Sequence, residues 1–253
     1  MKRKTVLAVG GIYHIFNRGI DKRDIFLDPS YYSRFVSTLE HSLKYNYPYS
    51  LLKRRLREAK SSEDRKNILL QLETKRVEPP VEVLSFCLMP NHFHLTLKQL
   101  VEDGITELIR RICTVYTMYF NVRQERRGTL FGGVFRSVLV ETEEQLIHLS
   151  RYQHLNPLKA GITEISKLGD YPWSSLATYL GRDDIPFVNS RPVMSHFKDA
   201  EGYLRFLEAE IDEFEPLRLE GIAIDDDFGW FACFRDYEEE RKEALRKRYM
   251  ELL

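Results

Sequence analysis

Cysteine is scarce in this chain. Cys87, Cys113 and Cys233 are the three it has, and their spacing forms neither a disulfide framework nor a thiolate metal site. Cys87 and Cys113 lie in apolar segments, as buried thiols of a reducing compartment do. Long apolar runs are missing as well. None approaches the ~20 residues of a membrane helix, and the N-terminus has no hydrophobic signal-peptide core. The expectation is a cytoplasmic protein with no membrane partner. Net charge is also absent, since 38 Lys+Arg balance 38 Asp+Glu. That balance is not local. Residues 1–60 hold 13 basic against 5 acidic side chains, whereas residues 199–253 hold 8 against 17. One reading is a basic working face that neutralises phosphates and releases counterions, joined to an acidic appendage. The other is two oppositely charged solvated surfaces. What the chain does have is 43% apolar residues and 12% aromatics over 253 positions. That is enough for one large domain, or a domain plus an appendage.

Periodicity and turn chemistry predict the order of elements. Gly11 to Asn17 reads as a strand, and Asp28-Pro29-Ser30 opens a helix running to about Tyr45. Residues 51–76 are charged, lack Gly and Pro, and read as helical, closed by Pro79-Pro80. Strands follow near 81–89 and 92–98, then a helix from Ile105 to Arg126 and a strand near 133–141. A second helix spans Thr142 to Leu155, with Pro157 expected to stop it. Strand, helix, strand, strand, helix, strand, helix is the order of an α+β, ferredoxin-like split βαβ sandwich with an antiparallel sheet.

The stretch richest in chemistry is Leu88-Met89-Pro90-Asn91-His92-Phe93-His94-Leu95. Pro90-Asn91 reads as a turn. Residues two apart on a strand face the same way, so His92 and His94 can converge on one cation while Phe93 packs opposite. Spacing alone leaves a second reading open, in which both are incidental polar residues of a half-exposed strand.

This segment resembles the HUH motif (histidine, hydrophobic residue, histidine) of single-strand DNA transposases, in particular the IS200-like, REP-associated tyrosine transposases. Four further segments resemble that family in the family's order. They are Tyr13-His14-Ile15-Phe16-Asn17-Arg18-Gly19 with Asp24-Ile25-Phe26, and Gly128-Thr129-Leu130-Phe131 with Phe135-Arg136-Ser137. Then come Arg151-Tyr152-Gln153-His154-Leu155-Asn156-Pro157-Leu158-Lys159-Ala160-Gly161 and Tyr171-Pro172-Trp173-Ser174-Ser175. The resemblance covers residues 12 to 181. It implies a catalytic domain at 1–181 with an insertion at about 50–80, where the family pattern has a short connection. Residues 182–253 are then an acidic, mostly helical C-terminal extension.

The resemblance also implies an enzyme, a transposase that cleaves and rejoins single-stranded or hairpin DNA through a 5′-phosphotyrosine. Tyr152 is the expected nucleophile, a covalent role that splits one displacement into two reversible ones. Asn156 lies one helical turn further on the same face. It would join His92 and His94 as a metal ligand. Imidazole and amide ligands without thiolate suit Mg²⁺ or Mn²⁺, manganese tolerating imidazole better. Tyr116 and Tyr119 compete for the nucleophile's role but sit among apolar positions and read as core or DNA-facing.

Asn17, Arg18, Arg110, Arg111, Arg123, Arg127 and Arg136 are the expected DNA contacts, with aromatic neighbours that suit a single strand or a hairpin stem. His154 reads as a capping or surface residue, and His14 gives no signal. The acidic extension is expected to lie across the DNA groove, so that deleting everything after 181 would raise DNA binding. A monomer and a homodimer are both compatible with the sequence. So are two other functions, a catalytically silent protein that binds structured DNA and a phosphodiesterase using water as nucleophile.

Overall fold

The computed structural model describes residues 7–45 and 49–209. The basic first residues, Cys233 and the charged segment 237–253 therefore lie outside the described residues. Strand β1 (Ile12–Arg18) leads into helix α1 (Pro29–Lys44). Asp28 caps α1, accepting from Ser30 N at 2.8 Å, and Pro29 takes the first helical position, where a missing N–H costs nothing. Helices α2 (Tyr49–Glu58) and α3 (Ser62–Glu73) follow. The 51–76 stretch is thus two helices, because the Ser61 hydroxyl accepts from Asp64 N and starts a new one.

Strands β2 (Val81–Met89) and β3 (His92–Gln99) are joined by the two-residue turn Pro90-Asn91, which makes them an antiparallel hairpin. Helix α4 (Gly104–Arg123), strand β4 (Arg136–Val140) and helix α5 (Glu143–Lys159) come next. The short helices α6 (Leu176–Tyr179) and α7 (Arg191–Met194) precede α8 (Ala200–Glu208). The strand order is β2-β3-β1-β4, with β1 antiparallel to β3. Strands β1 and β2 therefore run parallel with β3 between them, which is the split βαβ topology expected from the sequence.

By contacts the chain forms two compact units. One takes in the described residues up to Val83 together with Leu88–Ser137. The other takes in Leu84–Cys87 together with the described residues from Val138 onward. In the first, Tyr13, Ile15, Phe93, Leu95 and Leu97 form one of the two buried faces of β1 and β3. Phe35 of α1 packs on Phe93 with ring centroids 5.0 Å apart, and Tyr116 of α4 meets Phe35 at 5.3 Å. The Tyr116 hydroxyl donates to the Ile25 carbonyl, so this competitor for the nucleophile's role is a core residue.

In the second unit, α5 begins with a reciprocal cap. Thr142 Oγ1 accepts from Gln145 N, and Gln145 Oε1 accepts from Thr142 N. Pro157 does not stop α5. It lies in the last turn, where only Leu158 and Lys159 follow, and Ala160 N still closes on the Asn156 carbonyl. A proline so near the end forfeits one bond rather than breaking a helix.

Helix α5 is buried on every side from His148 to Pro157, although Ser150, Arg151, Gln153, His154 and Asn156 are polar. Buried polar groups need partners. Gln153 Oε1 accepts from Ser85 Oγ at 2.7 Å. His154 is fully buried, which corrects its reading as a surface or capping residue. Its Nδ1 meets the Tyr203 hydroxyl at 2.7 Å and its Nε2 meets Ser175 Oγ at 2.8 Å. Ser175 Oγ also accepts from Phe86 N, and Tyr203 pairs with Ser150 Oγ. The Arg151 guanidinium donates to the Ala209 carbonyl and stands 4.9 Å from the Phe206 ring centroid.

Tyr203 and Leu207 of α8 are buried at 0% and 2% exposure. A chain ending at 181 would lose them and leave His154 short of a partner. Such a truncation is therefore expected to lower the thermal unfolding midpoint strongly, and a change in DNA binding would report unfolding rather than an opened groove. Calorimetry of the truncated chain checks this. Burial also holds the His154 imidazole at a pKa of about 3, against an ordinary value near 6.5. The unfolded chain takes up a proton there and the folded one does not, so stability falls as pH drops from about 6.5 toward 3. The slope from this residue is ~1.4 kcal/mol per pH unit. Urea unfolding of His154→Gln across that window should show a shallower pH dependence than the wild type by about that amount.

Candidate metal centre and nucleophile helix

The histidine pair is built by a hairpin whose turn is held from outside. The Pro90 carbonyl accepts from both Ile25 N (2.7 Å) and Phe26 N (2.9 Å), while Gly19 N donates to the Asn91 carbonyl at 2.8 Å. Gly19 must be glycine, because a Cβ there would lie 2.3 Å from the Arg23 carbonyl oxygen. The next layer comes from 128–133. Ile20 N donates to the Leu130 carbonyl, Gly132 N to the Arg18 carbonyl, and Asn17 Nδ2 to the Gly133 carbonyl. Asn17 Oδ1 accepts from Arg18 N. The Asn-Arg-Gly, Asp-Ile-Phe, Pro-Asn-His and Gly-Thr-Leu-Phe segments are therefore one clamp around a single turn.

Beyond that clamp, alternation sorts the side chains. Phe93 enters the core and His92 and His94 share the opposite face, buried at 2% and 0% exposure. Register puts Phe16 across from His94 and Arg18 across from His92, with His14 across from Thr96. His14, Phe16, Arg18, His92 and His94 thus line one face of two neighbouring strands. The rings of His92 and His94 have centroids 4.8 Å apart. At metal–nitrogen distances of ~2.1 Å, two imidazoles so placed can both reach one ion.

Each ring has its Nδ1 engaged. His92 Nδ1 lies 2.5 Å from Asn91 Oδ1, and His94 Nδ1 lies 2.9 Å from His14 Nε2. Among the described residues, no group of three or more His, Cys, Asp or Glu side chains is arranged to hold a metal. An ion on this pair would therefore draw its other ligands from amide, phosphate or water oxygens. Such a donor set fits manganese better than magnesium.

Tyr152 and Asn156 belong to the second unit, on α5, one turn apart and exposed by 3% and 6%. The Lys159 ammonium stands 5.1 Å from the Tyr152 ring centroid and sets a positive charge beside the phenol. Asn156 Nδ2 is buried with no hydrogen-bond partner among the described residues. An unpartnered buried amide N–H is costly, and an acceptor oxygen brought by a bound group would relieve it.

The expected DNA contacts are spread over several elements. Asn17 and Arg18 lie at the clamp. On α4, Arg110 is exposed, whereas the half-buried Arg111 donates to the Tyr45 carbonyl at 2.7 Å, just beyond the end of α1. Arg123 stands over the rings of Tyr31 (4.9 Å) and Tyr119 (5.7 Å). Arg127 and Arg136 are exposed. Two site neighbours escaped the sequence reading. Asn91 looked like turn chemistry only, and the place of His14 emerges once β1 is paired with β3.

No family model and no curated protein matches the chain. Among solved structures, it is similar to a REP-associated tyrosine transposase bound to a REP hairpin. The TM-score is 0.46 and the identity 15%, over 75% of this chain and 97% of that one. Among the described residues no helix is long and apolar enough to cross a membrane. The fold therefore rests on the strand order of this chain, and its chemistry on the residues above.

Proposed function

We propose that the chain is a metal-dependent single-stranded DNA endonuclease and strand transferase, acting near DNA hairpins. The observation that carries this reading is the buried pair His92 and His94, side by side on β3 with Arg18 in register. A histidine pair of this kind, sunk in a face with no carboxylate beside it among the described residues, suits a polyanionic substrate that brings its own oxygens.

In the proposed reaction, Tyr152 Oη attacks the scissile phosphorus and the bond to the 3′ oxygen breaks. The 3′ hydroxyl leaves with a proton, and the 5′ phosphate stays esterified to Tyr152. Attack by a 3′ hydroxyl on that ester reverses the step and rejoins DNA without a nucleotide cofactor. A divalent cation, when bound, supplies charge neutralisation on the non-bridging phosphate oxygens. His92 and His94 would hold it, with Asn156 offering an amide oxygen. Lys159 sets a positive charge over the Tyr152 ring, where it can attract the substrate phosphate. Arg18 binds and orients the substrate phosphate. Arg110, Arg123, Arg127 and Arg136 are the proposed backbone contacts, and the partly exposed Tyr119 ring beside Arg123 is a stacking surface for unpaired bases.

Denaturing gels of the protein incubated with labelled hairpin oligonucleotides and Mn²⁺ test the proposal. A covalent protein–DNA band is expected. It should vanish in Tyr152→Phe and fall ~100-fold or more in His92→Ala, a loss of several kcal/mol. Cleavage that persists in Tyr152→Phe without that band would show a water-using phosphodiesterase. Binding without cleavage of hairpins from the DNA flanking its own gene would show a silent DNA-binding protein.

A further inference from the structure

We propose that His14 is a positioning residue for the histidine pair. It accepts the Nδ1 proton of His94, as Asn91 accepts that of His92, so that both rings turn a basic Nε2 toward one cation. This rests on the metal-site reading above and adds two residues to it.

For His92 the proton can be located by elimination. Asn91 Nδ2 faces the Lys22 carbonyl at 3.3 Å, and a carbonyl only accepts, so this fixes which end of the amide is nitrogen. Asn91 Oδ1 therefore faces His92 Nδ1 at 2.5 Å. An amide oxygen also only accepts, so His92 Nδ1 carries the hydrogen. In a neutral imidazole the lone pair is then on Nε2.

His94 has a histidine in the corresponding place. One proton lies between His94 Nδ1 and His14 Nε2, which are 2.9 Å apart. If His14 donated it, His94 would carry its own hydrogen on Nε2 and could not ligate through that atom. If His94 donates it, both rings of the pair present the same atom, and their 4.8 Å centroid separation serves a single ion. Metal-ligating histidines commonly donate their other N–H to a neighbour, which fixes the tautomer and ring orientation.

The two supports are anchored in the backbone. His14 is fully buried in β1, and its neighbour Phe16 is registered against His94. Asn91 sits in the turn that the 19–26 segment clamps. Neither residue needs to touch the substrate.

Long-range ¹⁵N–¹H correlation spectra of the metal-free wild type read the imidazole tautomers directly. The expected result is Nδ1–H for both His92 and His94, and finding His94 as Nε2–H overturns the proposal. Manganese affinity, read by electron paramagnetic resonance, is the second measurement. His14→Phe keeps a flat ring but cannot accept, and should weaken Mn²⁺ binding ~10- to 100-fold. His14→Gln keeps an acceptor and should stay within about threefold of the wild type. Equal Mn²⁺ affinity in His14→Phe and the wild type overturns the proposal. So does equal weakening in the Phe and Gln variants at unchanged thermal stability. Nδ1–H tautomers in a wild type that binds no Mn²⁺ would uphold the role of His14 and Asn91 in fixing the tautomers while removing the metal-site reading.

Discussion

The Pro90 carbonyl takes two backbone donors, Ile25 N and Phe26 N, and the chemistry of the first unit hangs from that junction. A two-residue turn between strands is otherwise free to twist, and twist there would rotate His92 and His94 together. With Gly19 N on the neighbouring Asn91 carbonyl, the turn becomes an interior point of a network rather than a loop tip. Asn17 and the 128–133 segment hold the outer side of the same network. Functional side chains are held most accurately on regular strands backed by such supports.

The second unit solves a different problem. A helix with polar residues around its circumference ought to lie on a surface, yet α5 is buried. Its buried histidine and glutamine are matched by hydroxyls from β2, the Ser174-Ser175 segment and α8. The low-dielectric surroundings make each bond matter more and each lost partner cost more. Tyr152 and Asn156 are thus carried on a helix with little freedom to roll.

Much of the fold was legible in the sequence because its signals are local. An apolar run marked the buried strand β2, Asp28-Pro29 marked the start of α1, and Pro90-Asn91 marked the hairpin into β3. These combine into the split βαβ order that the structure has. The surroundings of α5 were not legible. Ser150, Gln153 and His154 look like surface residues until Ser85, Ser175 and Tyr203 arrive from distant positions. His14 was hidden for the same reason, since its meaning depends on the pairing of β1 with β3. Pro157 misled in the opposite sense, because a rule for helix interiors was applied within three residues of an end.

The Ser175–His154–Tyr203 chain also bears on how the protein can change over evolutionary time. Each member satisfies the next, so replacing any one of them alone strands a polar atom in a dry interior. Drift at these positions is therefore concerted. A lineage that loses the imidazole is under pressure to replace the tyrosine and the serine with apolar side chains in the same interval. The segment that supplies Tyr203 is thereby tied to the helix that bears Tyr152 and cannot diverge at the pace of an ordinary appendage.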